Sequence, residues 1–155
     1  EDFPSHKLVI AGNKGWGFDD ILSLVEHEEG ITLAGYIAEG DLAPVYQSAD
    51  LFVYPSSYEG FGIPLLEAMA CGVPVICSNV SSMPEVVGDA GILVDPKDVR
   101  EIAQAVLVLL RDGSLRREMG AKGIVRARQF TWERMAQQTL SVYEDAYREW
   151  RQGSM

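Results

Sequence analysis

Apolar residues along this chain come first as short runs and then as helical stripes, and the change falls near residue 96. Leu8–Ala11, Ile31–Ala34, Leu51–Tyr54, Val73–Cys77 and Gly91–Val94 lack a strict apolar–polar alternation. That is the pattern of strands buried on both faces of a parallel sheet. Helical stretches are predicted between them at Gly17–His27, Asp41–Ala49, Pro64–Cys71 and Met83–Val87. Strands alternating with helices imply right-handed crossovers and a doubly wound α/β sheet. After Asp95-Pro96 only helical patterns follow. Lys97–Asp112 sets Val99, Ile102, Ala103, Val106, Leu109 and Leu110 on one face, and Ser114 is the expected cap of the next helix. Thr131, Glu133 and Arg134 open a last helix whose apolar positions are Trp132, Met135, Ala136, Leu140, Tyr143, Tyr147 and Trp150. No repeat, linker or low-complexity segment interrupts the chain.

With 155 residues, 47% of them hydrophobic, the chain has the size and composition of one domain with one good core. No apolar run reaches membrane-spanning length, and the N-terminus lacks the layout of a signal peptide. Direct membrane insertion is therefore not expected, and the compartment reads as cytoplasmic. Cys71 and Cys77 read as small core residues under reducing conditions, and His6 and His27 are too far apart for a zinc site, so no metal is expected. The net charge of −10 is unevenly spread. Residues 1–96 hold two basic side chains, Lys7 and Lys14, against fifteen acids, whereas residues 97–155 hold eleven basic and eight acidic. Nucleic acid, which needs clustered phosphate contacts, is excluded as an expected partner. The arginines at 111, 116, 117, 126, 128 and 134 read as a solvated helix face.

The chemistry concentrates in Tyr58-Glu59-Gly60-Phe61-Gly62-Ile63-Pro64-Leu65-Leu66-Glu67-Ala68-Met69-Ala70-Cys71-Gly72-Val73-Pro74-Val75. Two carboxylates stand eight positions apart on either side of a predicted helix start. Pro64 suits a first helical position. Glu67 falls one turn inside an apolar helix whose own side chains offer it no partner, and burying an unpaired carboxylate is costly. Free amides at a helix N-terminus, flanked by two acids, suit a ligand that is anionic at one point and rich in hydroxyls elsewhere, such as a sugar nucleotide. The plainer alternative is a buried helix with Glu67 reaching solvent at its edge and Glu59 on an exposed loop.

This run resembles the signature of the group 1 (family 4) retaining glycosyltransferases, a Glu, seven residues and a second Glu embedded in Glu-Gly-Phe-Gly. The resemblance continues through Lys7–Gly12, Leu33–Ile37, Ala49–Ser56, Ser81–Gly91 and Phe130–Glu133, in the family's order and spacing. It implies the C-terminal, donor-binding half of a GT-B fold, a Rossmann-like parallel sheet with flanking helices, truncated at its N-terminal edge. Residues 1–155 would then form a single nucleotide-sugar binding domain. The helix over 131–150 would pack toward the N-terminal acceptor domain, absent from this chain. Without that cover Tyr143, Tyr147 and Trp150 are expected to be exposed or to engage in a dimer. The missing first residue Met, the start directly before a core strand and the closing Gly153-Ser154-Met155 also read as marks of a piece cut from a larger protein, inactive alone.

Carried over residue by residue, the resemblance makes Glu67 the acid that accepts hydrogen bonds from the ribose hydroxyls. It puts Glu59, the catalytic candidate, beside the transferred sugar. Gly60, Phe61, Gly62 and Ile63 would present a close-approaching backbone and its amides to the diphosphate or sugar, so that no metal or other cofactor is required. Gly12 and Lys14 lie in a glycine-rich turn after the first strand, at the carboxyl end where ligands sit in such sheets, with Lys14 read as either a phosphate contact or a surface lysine. Ile37 ends another strand where the family's backbone lies near the base. Trp16 reads as packing. Ser56, Ser57 and Ser78 on the same rim read equally well as turn residues. The Gly-Asn-Lys-Gly-Trp turn and Ser81–Glu85 look most like mannosyltransferase members, which favours a guanosine donor. The competing reading is a non-catalytic module that binds a nucleotide or a partner on the same fold.

Overall fold

The computed structural model describes residues 5–13, 23–25 and 28–153. The chain divides into two compact units, residues 1–42 and residues 43–155. In the first, β1 (Leu8–Ala11) pairs in parallel with β2 (Ile31–Gly35), Leu8 opposite Ile31. The register shifts between Ile10 and Ala11, so that Ala11 faces Gly35. These strands differ from expectation in burial. Leu8, Val9 and Leu33 are exposed, and neither apolar cluster of the protein includes a residue of either strand. Of the helix expected over Gly17–His27, residues 23–25 are described and are helical. Helix α1 (Glu39–Ser48) follows and lends its second half to the next unit.

The second unit is built on three parallel strands in the order β3 (Phe52–Tyr54), β4 (Val75–Ser78), β5 (Gly91–Val94). Phe52 stands opposite Val75, and Val75 opposite Gly91. Helix α2 (Ile63–Ala70) connects β3 to β4, and α3 (Met83–Val87) connects β4 to β5. Helices α4 (Val99–Arg111), α5 (Gly113–Ala127) and α6 (Trp132–Gly153) complete the chain. The two-fold side-chain period of β4 sorts the core into two layers. Val75 and Cys77 pack with Leu65, Ala68 and Met69 of α2 and with Met83, Val86 and Val87 of α3. Ile76 packs on the other face with Ala105 and Leu109 of α4 and with Val94. Among the described strands only β4 is buried along its whole length, as the central strand between two layers of helices must be. Each fully buried Leu or Met contributes about 1.5–3 kcal/mol by removal from water.

Element boundaries and caps correct the sequence reading at several points. The fourth strand starts at Val75: Val73 still donates its N–H back to Ala68 of α2, and Pro74, whose carbonyl accepts from Phe52, leads into the strand. Pro64 takes the second helical position, with Ile63 the first. Asp112, not Ser114, caps α5, accepting from the N–H groups of Ser114 and Leu115 at 2.9 Å each. Asp98 does the same for α4 through Arg100 and Glu101. The arginine run also has structural members. Arg116 donates to the carbonyls of Leu109 and Leu110 at 2.7 Å, satisfying the end of α4. Helix α5 approaches α2 so closely that a Cβ on Gly120 would overlap the carbonyl oxygen of Gly72. No described helix is long and apolar enough to cross a membrane.

Candidate functional site

Strand β3 delivers Tyr54 to the carboxyl end of the three-stranded sheet, and the loop from Pro55 to Gly62 carries Glu59 there before α2 begins. Glu59 is half-buried and held from several sides. Its Oε1 accepts from the Tyr54 hydroxyl at 2.6 Å and from the Ser56 hydroxyl at 2.9 Å. Its main chain is gripped by the loop before α3. The Ser81 hydroxyl donates to the Glu59 carbonyl at 2.6 Å and accepts from its N–H at 3.3 Å, and Ser82 donates to the carbonyls of Glu59 and Phe61 at 3.1 and 2.9 Å. Ser81 does this with φ near 60°, the one positive value at a non-glycine residue among the described residues. Such a conformation costs about 1–2 kcal/mol and is held only where the surroundings over-determine it.

Glu67, on the second turn of α2, is also half-buried. Its own helix offers no partner, as expected, but α1 supplies one: the Tyr46 hydroxyl donates to Glu67 Oε2 at 3.0 Å. Burial and the donated hydrogen bond push the Tyr46 phenol well above its usual range, and the same causes push Tyr54 up to about 12. Both phenols therefore remain protonated donors at any physiological pH. Burial, with Glu67 nearby, raises the Cys71 thiol too. Tyr46 meets Phe52 edge-on at 5.4 Å between ring centroids, and Phe52 stacks with Tyr54 at 5.7 Å. The ring pairs carry the two carboxylate contacts on one continuous strip.

Gly62 caps α2 in the left-handed region, φ 103°, where a Cβ would also come within 3.2 Å of Leu65 Cδ1. This backbone bend leaves the amides of Phe61, Gly62 and Ile63 without a protein acceptor among the described residues. Gly62 is buried, while Gly60, Phe61 and Ile63 are exposed. A helix start with free amides stabilises an anion. Phe61 rests edge-on against Phe130 at 5.9 Å, and Phe130 lies under the guanidinium of Arg126 at 4.9 Å. Arg126 also donates to the carbonyls of Val86 and Glu85 at the end of α3. Among the described residues no cluster of three His, Cys, Asp or Glu side chains is placed to hold a metal ion.

Sequence reasoning thus chose the two acids and the glycine loop, which the structure assembles around the start of α2. It missed Tyr46, Tyr54, Ser82 and Arg126 as supporting groups, and it left Ser56 between a rim and a turn residue, where the structure gives it a hydrogen bond to Glu59. In the other unit, Gly12 has φ 139° and donates its N–H to Gly35 at 2.8 Å, and Ile37, expected to end a strand, lies two residues beyond the end of β2, half-buried in the segment that leads to α1. Lys14 and Trp16 lie outside the described residues.

Residues 1–126 match the family described as glycosyl transferases group 1. The chain belongs to this family. The group 1 resemblance extends to mannosyltransferases: the chain is 49% identical over 142 residues to the O-antigen chain mannosyltransferase B of Escherichia coli, covering 90% of this chain and 37% of that protein. It is 40% identical over 114 residues to the MMP alpha-(1->4)-mannosyltransferase of Mycolicibacterium hassiacum, covering 71% of this chain and 28% of that protein. The sucrose-phosphate synthase of Thermosynechococcus elongatus superposes with a TM-score of 0.80 at 29% identity, over 96% of this chain and 40% of that one. Anabaena HepE, solved with UDP-glucose, shares the fold with a TM-score of 0.79 at 22% identity, over 92% and 42% of the two chains. This group 1 chain therefore spans well under half the length of the relatives it matches. Its fold class is the parallel, helix-flanked arrangement of a GT-B half.

Proposed function

We propose that this chain is the donor-binding part of a retaining glycosyltransferase that moves a hexose, mannose by preference, from a nucleoside diphosphate sugar to a glycan, lipid or small acceptor. The observation that carries the reading is the pair of carboxylates around the open start of α2. Each has one oxygen fixed by a tyrosine and the other without a protein donor among the described residues. Glu67 takes the ribose hydroxyls and Glu59 takes a hydroxyl of the sugar or faces the positive charge that develops at its anomeric carbon. The amides of Phe61, Gly62 and Ile63 receive the diphosphate and stabilise it as it leaves, as a preorganised oxyanion site does, and no metal is required. The relation to mannosyltransferases favours a guanosine donor. The remaining length of such a protein would supply the acceptor domain, cover the aromatic face of α6 and complete an enzyme that works in the cytoplasm. This part alone is expected to be inactive.

The test is calorimetric titration of the full-length protein and its Glu67→Ala variant with UDP, GDP and ADP. Selective binding of one diphosphate, weakened by the substitution, supports the reading. Indifference of the full-length protein to all three would turn the assignment to a non-catalytic module of the same fold.

A further inference from the structure

Outside the two acids, the most unusual arrangement in the molecule is the aromatic strip that joins them. Tyr46 comes from α1, Phe52 and Tyr54 from β3, Glu59 from the following loop and Glu67 from α2, so the strip draws on four segments of the chain. Phe52 and Tyr54 are two residues apart on one strand and therefore share a face. Phe52 then turns its ring edge toward Tyr46 at an interplanar angle of 85°, while it lies 22° from parallel with Tyr54. The hydroxyls at the two ends of the strip point to the two carboxylates, at 3.0 Å to Glu67 Oε2 and 2.6 Å to Glu59 Oε1. A neutral phenol that donates to one carboxylate oxygen restrains the rotation of the carboxylate and leaves its second oxygen able to accept from a ligand. A charge-assisted hydrogen bond of this kind is about twice as strong as a neutral one.

We infer that Tyr46 and Tyr54 are positioning residues, one for each acid, and that Phe52 locks the two together, so that the ribose contact and the sugar contact are set by one rigid unit. The inference rests on the donor-site reading above and adds to it a division of labour. Tyr46 acts through Glu67 on binding of the nucleoside. Tyr54 acts through Glu59 on the transfer step. Neither touches the donor. Phe52 holds both rings, so loss of its ring loosens both carboxylates at once.

The test uses Tyr46→Phe, Tyr54→Phe and Phe52→Leu in the full-length protein, with titration by the preferred nucleoside diphosphate and by its 2′,3′-dideoxy analogue, and with steady-state transfer kinetics. Tyr46→Phe should weaken the ribonucleotide about tenfold, the size expected for a hydrogen bond to a charged group, and leave the dideoxy analogue unaffected. Tyr54→Phe should lower kcat about tenfold with KM for the donor nearly unchanged. Phe52→Leu should produce both effects together. Equal weakening of both ligands by Tyr46→Phe, or its failure to fold, would reduce Tyr46 to a packing residue and overturn the inference. So would a Tyr54→Phe effect confined to KM. Glu67→Ala separates this from the parent reading. If that variant keeps full preference for the ribonucleotide, the donor-site reading itself fails. If it loses the preference while Tyr46→Phe keeps it, only the positioning role falls.

Discussion

Ser81 offers a perturbation in which strain and bonding separate. Its φ near 60° disfavours any side chain by about 1–2 kcal/mol, whereas glycine accepts it freely. Its hydroxyl makes one short bond to the Glu59 carbonyl, 2.6 Å, and one long bond from the Glu59 N–H, 3.3 Å. The residue is exposed, so the net worth of the pair is about 1 kcal/mol. Ser81→Ala removes the bonds and keeps the strain, and should cost that 1 kcal/mol. Ser81→Gly removes the bonds and the strain together, but the freer unfolded chain returns about 0.5–1 kcal/mol of the gain. Glycine should therefore exceed alanine by up to about 1.5 kcal/mol, with a central value of about 0.7 kcal/mol or about 1–3 °C in Tm for a chain of this size. Urea denaturation with an unchanged slope, together with a thermal melt, measures the difference. If alanine clearly exceeds glycine, the positive φ stores less strain than the entropy cost of a glycine, about 0.5–1 kcal/mol, and the loop is not over-determined. In transfer assays on the full-length protein both variants should lose activity alike, because both free the Glu59 peptide.

Asp112→Ala should cost about 1 kcal/mol by uncapping α5, while Ser114→Ala should stay within about 0.5 kcal/mol, and urea midpoints of the two variants decide between the caps. Gly120→Ala must push α5 off the carbonyl of Gly72, and a loss of about 1–3 kcal/mol is expected in the same assay. In an ultraviolet alkaline titration Tyr54 should ionise near pH 12, late relative to the ordinary tyrosine value of 10.0. Because the folded value is raised, its contribution to stability is whole below pH 10 and is lost as the pH climbs through the folded value; a Tyr54→Phe protein should lack that late step. Cys77, whose thiol burial pushes up to about 12, should resist thiol reagents at pH 8 until the protein unfolds.

How far the sequence could be read depended on the range of the interaction. Apolar runs placed the five described strands within two residues, since burial in a parallel sheet imprints directly on composition. They overstated the burial of β1 and β2, because a run of apolar residues records a tendency to be covered and not the cover itself. Ser114 and Asp112 are both good capping residues two positions apart, and propensity alone had no means to rank them. Asp112 wins because it ends α4 and begins α5 with no connecting residues between. Glu59 and Glu67 were legible because a carboxylate in an apolar helix and one beside a glycine turn are unusual locally. Tyr46 was not, since its partner lies 21 positions away and only the packing of α1 against β3 and α2 brings them together. For Tyr54 and Ser56, five and three positions from Glu59, the loop bend decides the contact and leaves no periodic trace.

Helix α6 is exposed along its described length, from Trp132 through Gln152, and its ring-bearing side includes Trp132, Tyr143, Tyr147 and Trp150. Neither apolar cluster contains a residue beyond Ala127. Helices draw most of their stability from packing, so this segment in the isolated chain opens almost independently of the rest. Limited proteolysis should therefore trim the chain back to the neighbourhood of Phe130 and leave a resistant product with both clusters whole. Amide exchange should divide at the same place, fast beyond it and slow in β4 and α2.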